Sequence, residues 1–129
     1  MKIICVDDHP VILQGLAQNI QGILPEASVN AFDSGEKALD FMKNNGCDVL
    51  ISEIELRGIN GLTLARSAQA LNPELNVIFL TVCDEGEYAR EVFSIRPSGY
   101  LVKPAGTEQL AFELKNLRYG AHHGASLPM

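Results

Sequence analysis

The chain has 129 residues, a formal net charge of −6, 47% hydrophobic residues and 20% charged residues. This length suits a single domain with one buried core, and this composition is ordinary for a soluble globular protein. The acidic balance argues against direct binding of a nucleic-acid backbone, because such binding needs clustered Lys and Arg and the ten basic residues are scattered.

The chain lacks the patterns of membrane and secreted proteins. No apolar run approaches 18 residues, and the N-terminus lacks the charged-then-apolar pattern of a signal peptide. Cys5, Cys47 and Cys83 are odd in number and lack CxxC spacing, which argues against a disulfide scaffold or a zinc site. We therefore expect a cytoplasmic protein with reduced thiols.

Five short apolar runs are typical of buried strands. In chain order, the expected strands are residues 2–6, 28–32, 49–52, 77–80 and 99–102. Amphipathic segments with helical spacing separate them and follow the last one. The five helices are expected to begin at or just after residues 10, 33, 60, 85 and 107.

Several residues predict where the helices begin and end. Asp33 with Glu36 has the spacing of a capping box, and Gly46 is expected to end that second helix. Asn60-Gly61 is expected to begin the third helix. The fourth, over residues 85–95, is expected to bury Ala89, Val92 and Phe93, while Thr107 caps the fifth and Gly120 ends it.

Strands that alternate with helices predict parallel βαβ units with right-handed crossovers. In the doubly wound strand order 2-1-3-4-5, strands 1 and 3 lie side by side and ligands bind beyond their carboxyl ends. Asp7 and Asp8 follow strand 1, and Glu53 follows strand 3. Thr81 and Lys103 end the next two strands, so we expect all five side chains to meet at one edge of the sheet.

This set of side chains suits the binding of a phosphoryl group. Three neighbouring carboxylates repel one another and need a cation, and Mg²⁺ takes carboxylate, water and phosphate oxygens as ligands. Lys103 adds a positive charge and Thr81 a hydroxyl donor, both able to contact phosphoryl oxygens. An Asp at the position of Glu53 would be the natural nucleophile of such a site.

Residues 2–118 resemble a response-regulator receiver domain of bacterial two-component systems. The matching positions are Asp7-Asp8 (the Mg²⁺-binding pair), Asn60-Gly61-Leu62, Thr81 (the switch hydroxyl), Tyr100 (the rotating aromatic residue) and Lys103-Pro104 (with a cis-prolyl bond). The resemblance implies a flavodoxin-like (βα)5 three-layer sandwich. It also implies a metal set of Asp7, Asp8, Glu53 and Glu55, with Thr81, Tyr100 and Lys103 as phosphoryl and switch residues.

The resemblance further implies a signalling module and no enzyme. The expected partner is a sensor histidine kinase, unless its action on this chain was lost together with the acceptor Asp. A homodimer would form through helix 4, strand 5 and helix 5, with Arg90, Arg96 and Tyr100 as candidate contacts. DNA would be bound only through an output domain outside the receiver, which we expect at residues 1–118, with a tail or linker at 119–129.

The type of output domain stays open. The run from Phe79-Leu80-Thr81 to Gly99-Tyr100-Leu101 resembles receivers that precede LytTR-type DNA-binding domains. The opening Asp7-Asp8-His9-Pro10 is closer to receivers that carry helix-turn-helix outputs.

Two departures from the family pattern decide the expected mechanism. Glu53 stands where the family has its phospho-accepting Asp, and Leu56-Arg57 stands where Met-Pro is usual. The Glu side chain is longer by one C–C bond, roughly 1.5 Å, and would intrude on the phosphoryl position. Two hypotheses follow: Glu53 partly mimics the phosphorylated state, or the fold is an unswitched docking or dimerisation module.

Two other functions fit the sequence less well. A Mg²⁺-dependent phosphohydrolase of the haloacid dehalogenase type needs Asp-x-Asp after strand 1, whereas this chain has Asp7-Asp8-His9. A flavin-binding module needs a loop rich in Ser, Thr and Gly at that place, where the two carboxylates would repel a phosphate.

Overall fold

The computed structural model describes residues 1–84 and 86–120. Its strands are β1 (Lys2–Val6), β2 (Ser28–Phe32), β3 (Val49–Ser52), β4 (Asn76–Thr81) and β5 (Gly99–Val102). Its helices are α1 (Pro10–Ile23), α2 (Gly35–Asn45), α3 (Gly61–Leu71), α4 (Ala89–Ile95) and α5 (Thr107–Lys115). All strands are parallel in the order β2-β1-β3-β4-β5, so the predicted doubly wound α/β sandwich is confirmed.

The strand register aligns the carboxyl ends of the central strands. Val6 pairs with Ser52, and Ser52 pairs with Phe79 on β4. The residues that follow β1 and β3 therefore lie next to each other at one edge of the sheet. Thr81 pairs with Val102, which places the residue after β5 at the same edge.

The sheet separates two apolar clusters, one beneath each layer of helices. Successive residues of a strand point to opposite faces, so Ile51 packs in one cluster while Leu50 packs in the other. Every residue of β3 and β4 is buried. These two strands consequently form a rigid platform for the groups at their carboxyl ends.

Two helix caps differ from the sequence predictions. Asp33 does not cap α2, because Ser34 Oγ accepts the N–H of Lys37 at 3.2 Å while the Asp33 carboxylate pairs with Lys37 Nζ at 3.0 Å. The fifth helix includes Thr107 as its first residue, and its N-cap is Gly106. Both predictions missed the cap by one residue.

Helices α4 and α5 are shorter than predicted. Helix α4 begins at Ala89 and buries Ile95, whereas Phe93, predicted to face inward, is 83% exposed. Helix α5 ends at Lys115 and does not reach Gly120. The short length of α4 explains the error, since two turns give little periodicity from which to identify the inner face.

Across residues 1–84 and 86–120, no helix is long and apolar enough to cross a membrane. Cys5, Cys47 and Cys83 are free thiols with buried side chains. Burial raises the pKa of Cys5 and Cys47 to about 12, which keeps both thiols protonated and unreactive.

Candidate functional site

The turn after β1 places two carboxylates side by side. Asp7 is 1% exposed, and its Oδ1 accepts the N–H of His9 at 2.9 Å. The His9 ring Nδ1 lies 2.9 Å from Asp7 Oδ1 and 3.2 Å from Asp8 Oδ1. One ligand atom from each of these three residues lies within 4.8 Å of the others. The turn thus concentrates negative charge at the sheet edge.

Glu53 extends from the end of β3 into the same region and is 3% exposed. Its Oε2 accepts a hydrogen bond from the Thr81 hydroxyl and from the N–H groups of Ile54 at 2.8 Å and Glu55 at 3.3 Å. Its Oε1 accepts from Lys103 Nζ at 2.9 Å. Both oxygens of this buried carboxylate are therefore satisfied, as burial of a charge requires.

Lys103 bridges the carboxylates that follow β1 and β3. Its side chain is 13% exposed, and its Nζ lies 2.5 Å from Asp7 Oδ2 and 2.9 Å from Glu53 Oε1. Burial opposes the charged form of Lys103, but these two hydrogen bonds outweigh it and raise the pKa of Lys103. Burial likewise opposes ionisation of Asp7, but hydrogen bonds from Lys103 and His9 hold the pKa of Asp7 below its usual range. Both groups are charged at neutral pH.

Thr81 and Tyr100 connect the site to the β4–α4 loop. Thr81 is fully buried and, besides donating to Glu53, accepts the N–H of Cys83 at 3.2 Å. Tyr100 packs edge-on against Phe79 with ring centroids 6.1 Å apart, and its hydroxyl donates to the Cys83 carbonyl at 2.9 Å. Both side chains therefore hold the loop segment around Cys83.

Glu55 lies apart from the acidic pair that follows β1. Its carboxylate accepts the Tyr88 hydroxyl at 2.9 Å, which raises the pKa of Tyr88 to about 12. Ligand atoms of Glu55, Cys83 and Glu87 lie within 4.8 Å of one another. The structure thus joins Glu53 to Asp7 through Lys103 and to Thr81 through a hydrogen bond, and it directs the Glu55 carboxylate to a separate group.

Arg57 contacts the acidic pair, a contact that the sequence reasoning did not foresee. The Arg57 N–H donates to Asp8 Oδ2 at 2.9 Å, and Nε lies 3.4 Å from the same oxygen. Nη2 also donates to the Asp8 carbonyl at 3.2 Å. Because β1 and β3 are neighbours, a residue shortly after β3 reaches the turn after β1. The Arg at the position where the resemblance leads us to expect Pro was the available signal.

Gly61 supports the loop that carries Glu53. Its N–H donates to the Ile54 carbonyl at 2.7 Å, and a Cβ at Gly61 would collide with the Glu53 carbonyl oxygen. Asn60 Oδ1 caps α3 by accepting the N–H of Thr63 at 2.9 Å. The predicted helix start at Asn60-Gly61 is confirmed, and it packs directly on the backbone of the acidic loop.

The donor set has the chemistry that Mg²⁺ prefers. Asp7 and Asp8 offer neighbouring carboxylate oxygens, and Glu53 lies across Lys103 from Asp7. Mg²⁺ commonly takes one or two carboxylates and completes its octahedron with water. The three carboxylates of Asp7, Asp8 and Glu53 are paired with only two cations, Lys103 and Arg57. A bound metal ion would compensate the remaining negative charge.

Comparison with known proteins gives a family match and related sequences. The family model described as response regulator receiver domain matches residues 3–115. The response regulator GacA of Pseudomonas aeruginosa is 26% identical over 123 residues, which cover 95% of this chain and 58% of that protein. The response regulator UvrY of Escherichia coli K12 is 25% identical over 126 residues, with 98% and 58% covered. The chain thus spans less than two thirds of the length of these relatives.

Solved structures show the same fold. A BeF3-activated DrrB receiver domain superposes with a TM-score of 0.78 at 27% identity, covering 88% of this chain and 93% of that one. The chemotaxis protein CheY4 of Vibrio cholerae has a TM-score of 0.79 at 24% identity, with 88% and 95% covered. At that identity the second likeness concerns the fold alone.

Proposed function

The chain belongs to the response regulator receiver domain family, and from that membership we propose that it is an atypical receiver whose state does not depend on phosphorylation. The observation that carries the proposal is the double contact of Glu53. Its carboxylate accepts hydrogen bonds from the Thr81 hydroxyl and from Lys103 Nζ at the same time. These are the two donors that the family resemblance assigns to the phosphoryl group.

The length of Glu53 works against phosphoryl transfer. Relative to Asp, its carboxylate is advanced by one C–C bond, roughly 1.5 Å, toward Thr81 and Lys103. A misplacement of about 1 Å costs on the order of 100-fold in rate. Both oxygens of Glu53 are also hydrogen bonded, so attack on a phosphodonor would first break contacts with a buried ammonium or hydroxyl.

The same contacts support partial mimicry of a phosphorylated acceptor. A phosphoryl group would carry about two negative charges, whereas Glu53 carries one. Glu53 nevertheless gives Thr81 an acceptor, and Thr81 in turn accepts the N–H of Cys83. The β4–α4 loop is thereby tied to an acidic side chain without the action of a kinase.

We propose that Mg²⁺ binds at Asp7, Asp8 and Glu53, where it would compensate the part of their negative charge that Lys103 and Arg57 leave unbalanced. Glu55, the fourth member of the predicted set, would have to release Tyr88 to take part through its carboxylate. The module has no enzymatic activity in this proposal.

The partners proposed for the module follow from the family. A sensor histidine kinase is the proposed partner unless its action was lost with the acceptor Asp, and control of transcription would require a LytTR or helix-turn-helix output domain. The proposed homodimer face is the α4–β5–α5 surface. Phe93 on α4 is 83% exposed and Phe112 on α5 is 62% exposed. Arg90 also lies on α4, and Arg96 is its C-cap residue. Cytoplasmic location is part of the same proposal.

The receiver unit is proposed to span residues 1–118, with a tail or linker at 119–129. Asn76 Nδ2 donates to the Tyr119 carbonyl at 2.9 Å, and the Tyr119 N–H donates to Asn76 Oδ1 at 2.9 Å. This anchor lies one residue beyond the proposed boundary, so a shortened chain should retain Tyr119. Residues 121–129, including His122 and His123, lie outside the described residues.

Nuclear magnetic resonance can separate the mimic from the unswitched module. Amide shifts of Thr81, Cys83 and Tyr100 would be measured in the wild type and in Glu53→Asp, the latter with and without beryllofluoride and Mg²⁺. Partial mimicry predicts that the wild-type amide shifts lie between those of Glu53→Asp with beryllofluoride and those of Glu53→Asp without it. Wild-type shifts that coincide with Glu53→Asp lacking beryllofluoride would instead support the unswitched docking module.

A further inference from the structure

The acidic pair already has a cation and a hydrogen-bond donor supplied by one residue, Arg57. Its N–H donates to Asp8 Oδ2 at 2.9 Å and its Nε lies 3.4 Å from that oxygen, so main chain and side chain converge on one carboxylate atom. Nη2 adds a bond to the Asp8 carbonyl at 3.2 Å. The other carboxylate oxygen, Oδ1, lies 3.2 Å from His9 Nδ1. Asp8 is therefore engaged on both sides within the protein.

We infer that Arg57 is a resident counter-cation that competes with Mg²⁺ for Asp8 and so sets the metal affinity of the site. This inference rests on the proposed metal site and adds the residue that regulates its occupancy. To coordinate a metal ion, Asp8 Oδ2 would have to give up contacts with the N–H and Nε of Arg57. The guanidinium and the metal ion are both positive and both interact with the negative charge of the same oxygen. Binding of one therefore weakens binding of the other.

The two halves of the Arg57 contact differ in how easily they yield. The Arg57 side chain is 85% exposed, so the guanidinium can swing into water at a small free-energy cost. The N–H is fixed by the backbone of the loop after β3 and cannot leave without moving that loop. A proline at this position would lack both groups, because it has no N–H and no charge. The Arg at 57 thus adds two competitors for the metal.

The test measures binding of Mg²⁺ to the wild type, Arg57→Ala, Arg57→Pro and a matched control by isothermal titration calorimetry. Arg66→Ala is the control, because this variant also removes one positive charge. The Arg66 side chain contacts Ser94 Oγ on α4 and not the acidic pair. We expect Arg57→Ala to bind Mg²⁺ about two- to fivefold more tightly than the wild type, the range of an exposed ion pair. Arg57→Pro should bind at least as tightly, and Arg66→Ala should match the wild type.

A second readout is the rise in thermal midpoint on adding Mg²⁺. It should be larger for Arg57→Ala than for the wild type, because this variant gains more from an external cation. The comparison of Arg57→Ala with the wild type is sufficient to test the inference if Arg57→Pro fails to fold.

The outcomes separate this inference from the proposed function. Equal Mg²⁺ affinity and equal thermal shifts in the wild type and Arg57→Ala would overturn the role of Arg57 while leaving the metal site intact. Tighter binding in Arg66→Ala to the same degree would also overturn it, because bulk charge would then explain the effect. No binding in any variant would remove the inference together with the metal site. The reactivity of Glu53 toward a phosphodonor is measured separately and is unaffected by that result.

Discussion

The ammonium of Lys103 and the carboxylate of Glu53 lie 2.9 Å apart with 13% and 3% of their side chains exposed. Lys103 follows β5 and Glu53 follows β3, so this ion pair joins segments that flank β4. The same Nζ lies 2.5 Å from Asp7 Oδ2. One ammonium thus compensates two buried carboxylates, and the stability of the fold is expected to depend on it.

Replacing Lys103 should destabilise the protein strongly. Lys103→Met leaves Asp7 and Glu53 buried without their shared cation, and loss of one partner of a buried pair costs about 3 kcal/mol or more. We expect this decrease in the free energy of unfolding in urea denaturation at pH 7.

The matched control is Lys37→Met. Lys37 pairs with Asp33 at 3.0 Å on the surface, where both side chains are more than half exposed. Loss of this pair should change the free energy of unfolding by less than about 1 kcal/mol. Similar losses in the two variants would argue against a special role for the buried cluster.

The pKa of Asp7 predicts how stability changes at low pH. Its folded-state pKa lies below the ordinary value of 3.8, so the unfolded chain takes up a proton first as the pH falls. The contribution of Asp7 is present above 3.8 and is lost as the pH falls through the folded-state pKa. In urea unfolding at pH 7, 5, 4 and 3, the free energy of unfolding should fall less steeply toward low pH (the acid limb of the curve) in Asp7→Asn than in the wild type.

Asp33→Asn provides the comparison for that measurement. The pKa of Asp33 is also lowered, by its hydrogen bond with Lys37, but this carboxylate is at the surface. Its replacement should alter the acid limb less than Asp7→Asn does. An acid limb that is unchanged in Asp7→Asn would contradict the assignment.

The Thr81 hydroxyl should stabilise the protein through Glu53. Thr81→Val keeps the shape of the buried side chain but removes the donor to Glu53 Oε2 and the acceptor of the Cys83 N–H. Hydrogen bonds to charged groups contribute about 1.5–3 kcal/mol, which is the loss expected in urea denaturation. Thr81→Ser keeps the hydroxyl and should lose about 0.8 kcal/mol for one buried methyl. A larger loss in the Ser variant would show that packing outweighs the hydrogen bond.

Gly61 should be intolerant of a side chain. A Cβ there would collide with the Glu53 carbonyl oxygen and would lie 2.9 Å from Ile54 Cα, both backbone atoms that cannot yield cheaply. Gly61→Ala should therefore cost about 1–3 kcal/mol of unfolding free energy. Gly15→Ala, in the interior of α1 with open space around it, should instead stabilise by about 0.5–1 kcal/mol. Destabilisation of equal size in both variants would contradict this explanation.

The sequence predicts the sheet and the meeting of its carboxyl ends because both depend on long-range regularity. Continuous apolar runs alternate with helices, and parallel pairing follows from that alternation. Once β1 and β3 are neighbours, Asp7 and Glu53 must lie close together. The roles assigned to these residues remain proposals, but their proximity follows from topology.

Local choices between neighbouring groups were harder to predict. Asp33 and Ser34 are both good N-cap residues; Ser34 caps the helix, while Asp33 forms an ion pair with Lys37. Arg57 likewise reaches Asp8 across 49 residues of sequence, and only the strand order makes this contact possible. Exposure of Phe93 depended on where a two-turn helix begins.

The reaction with a small phosphodonor tests the central claim most directly. Wild-type protein and Glu53→Asp would be incubated with labelled acetyl phosphate and Mg²⁺, and the bound label would be quantified and located by mass spectrometry. The proposed function predicts no stoichiometric label on the wild type and a base-labile label at position 53 of Glu53→Asp. Stoichiometric, acid-stable and base-labile label on Glu53 of the wild type would contradict it.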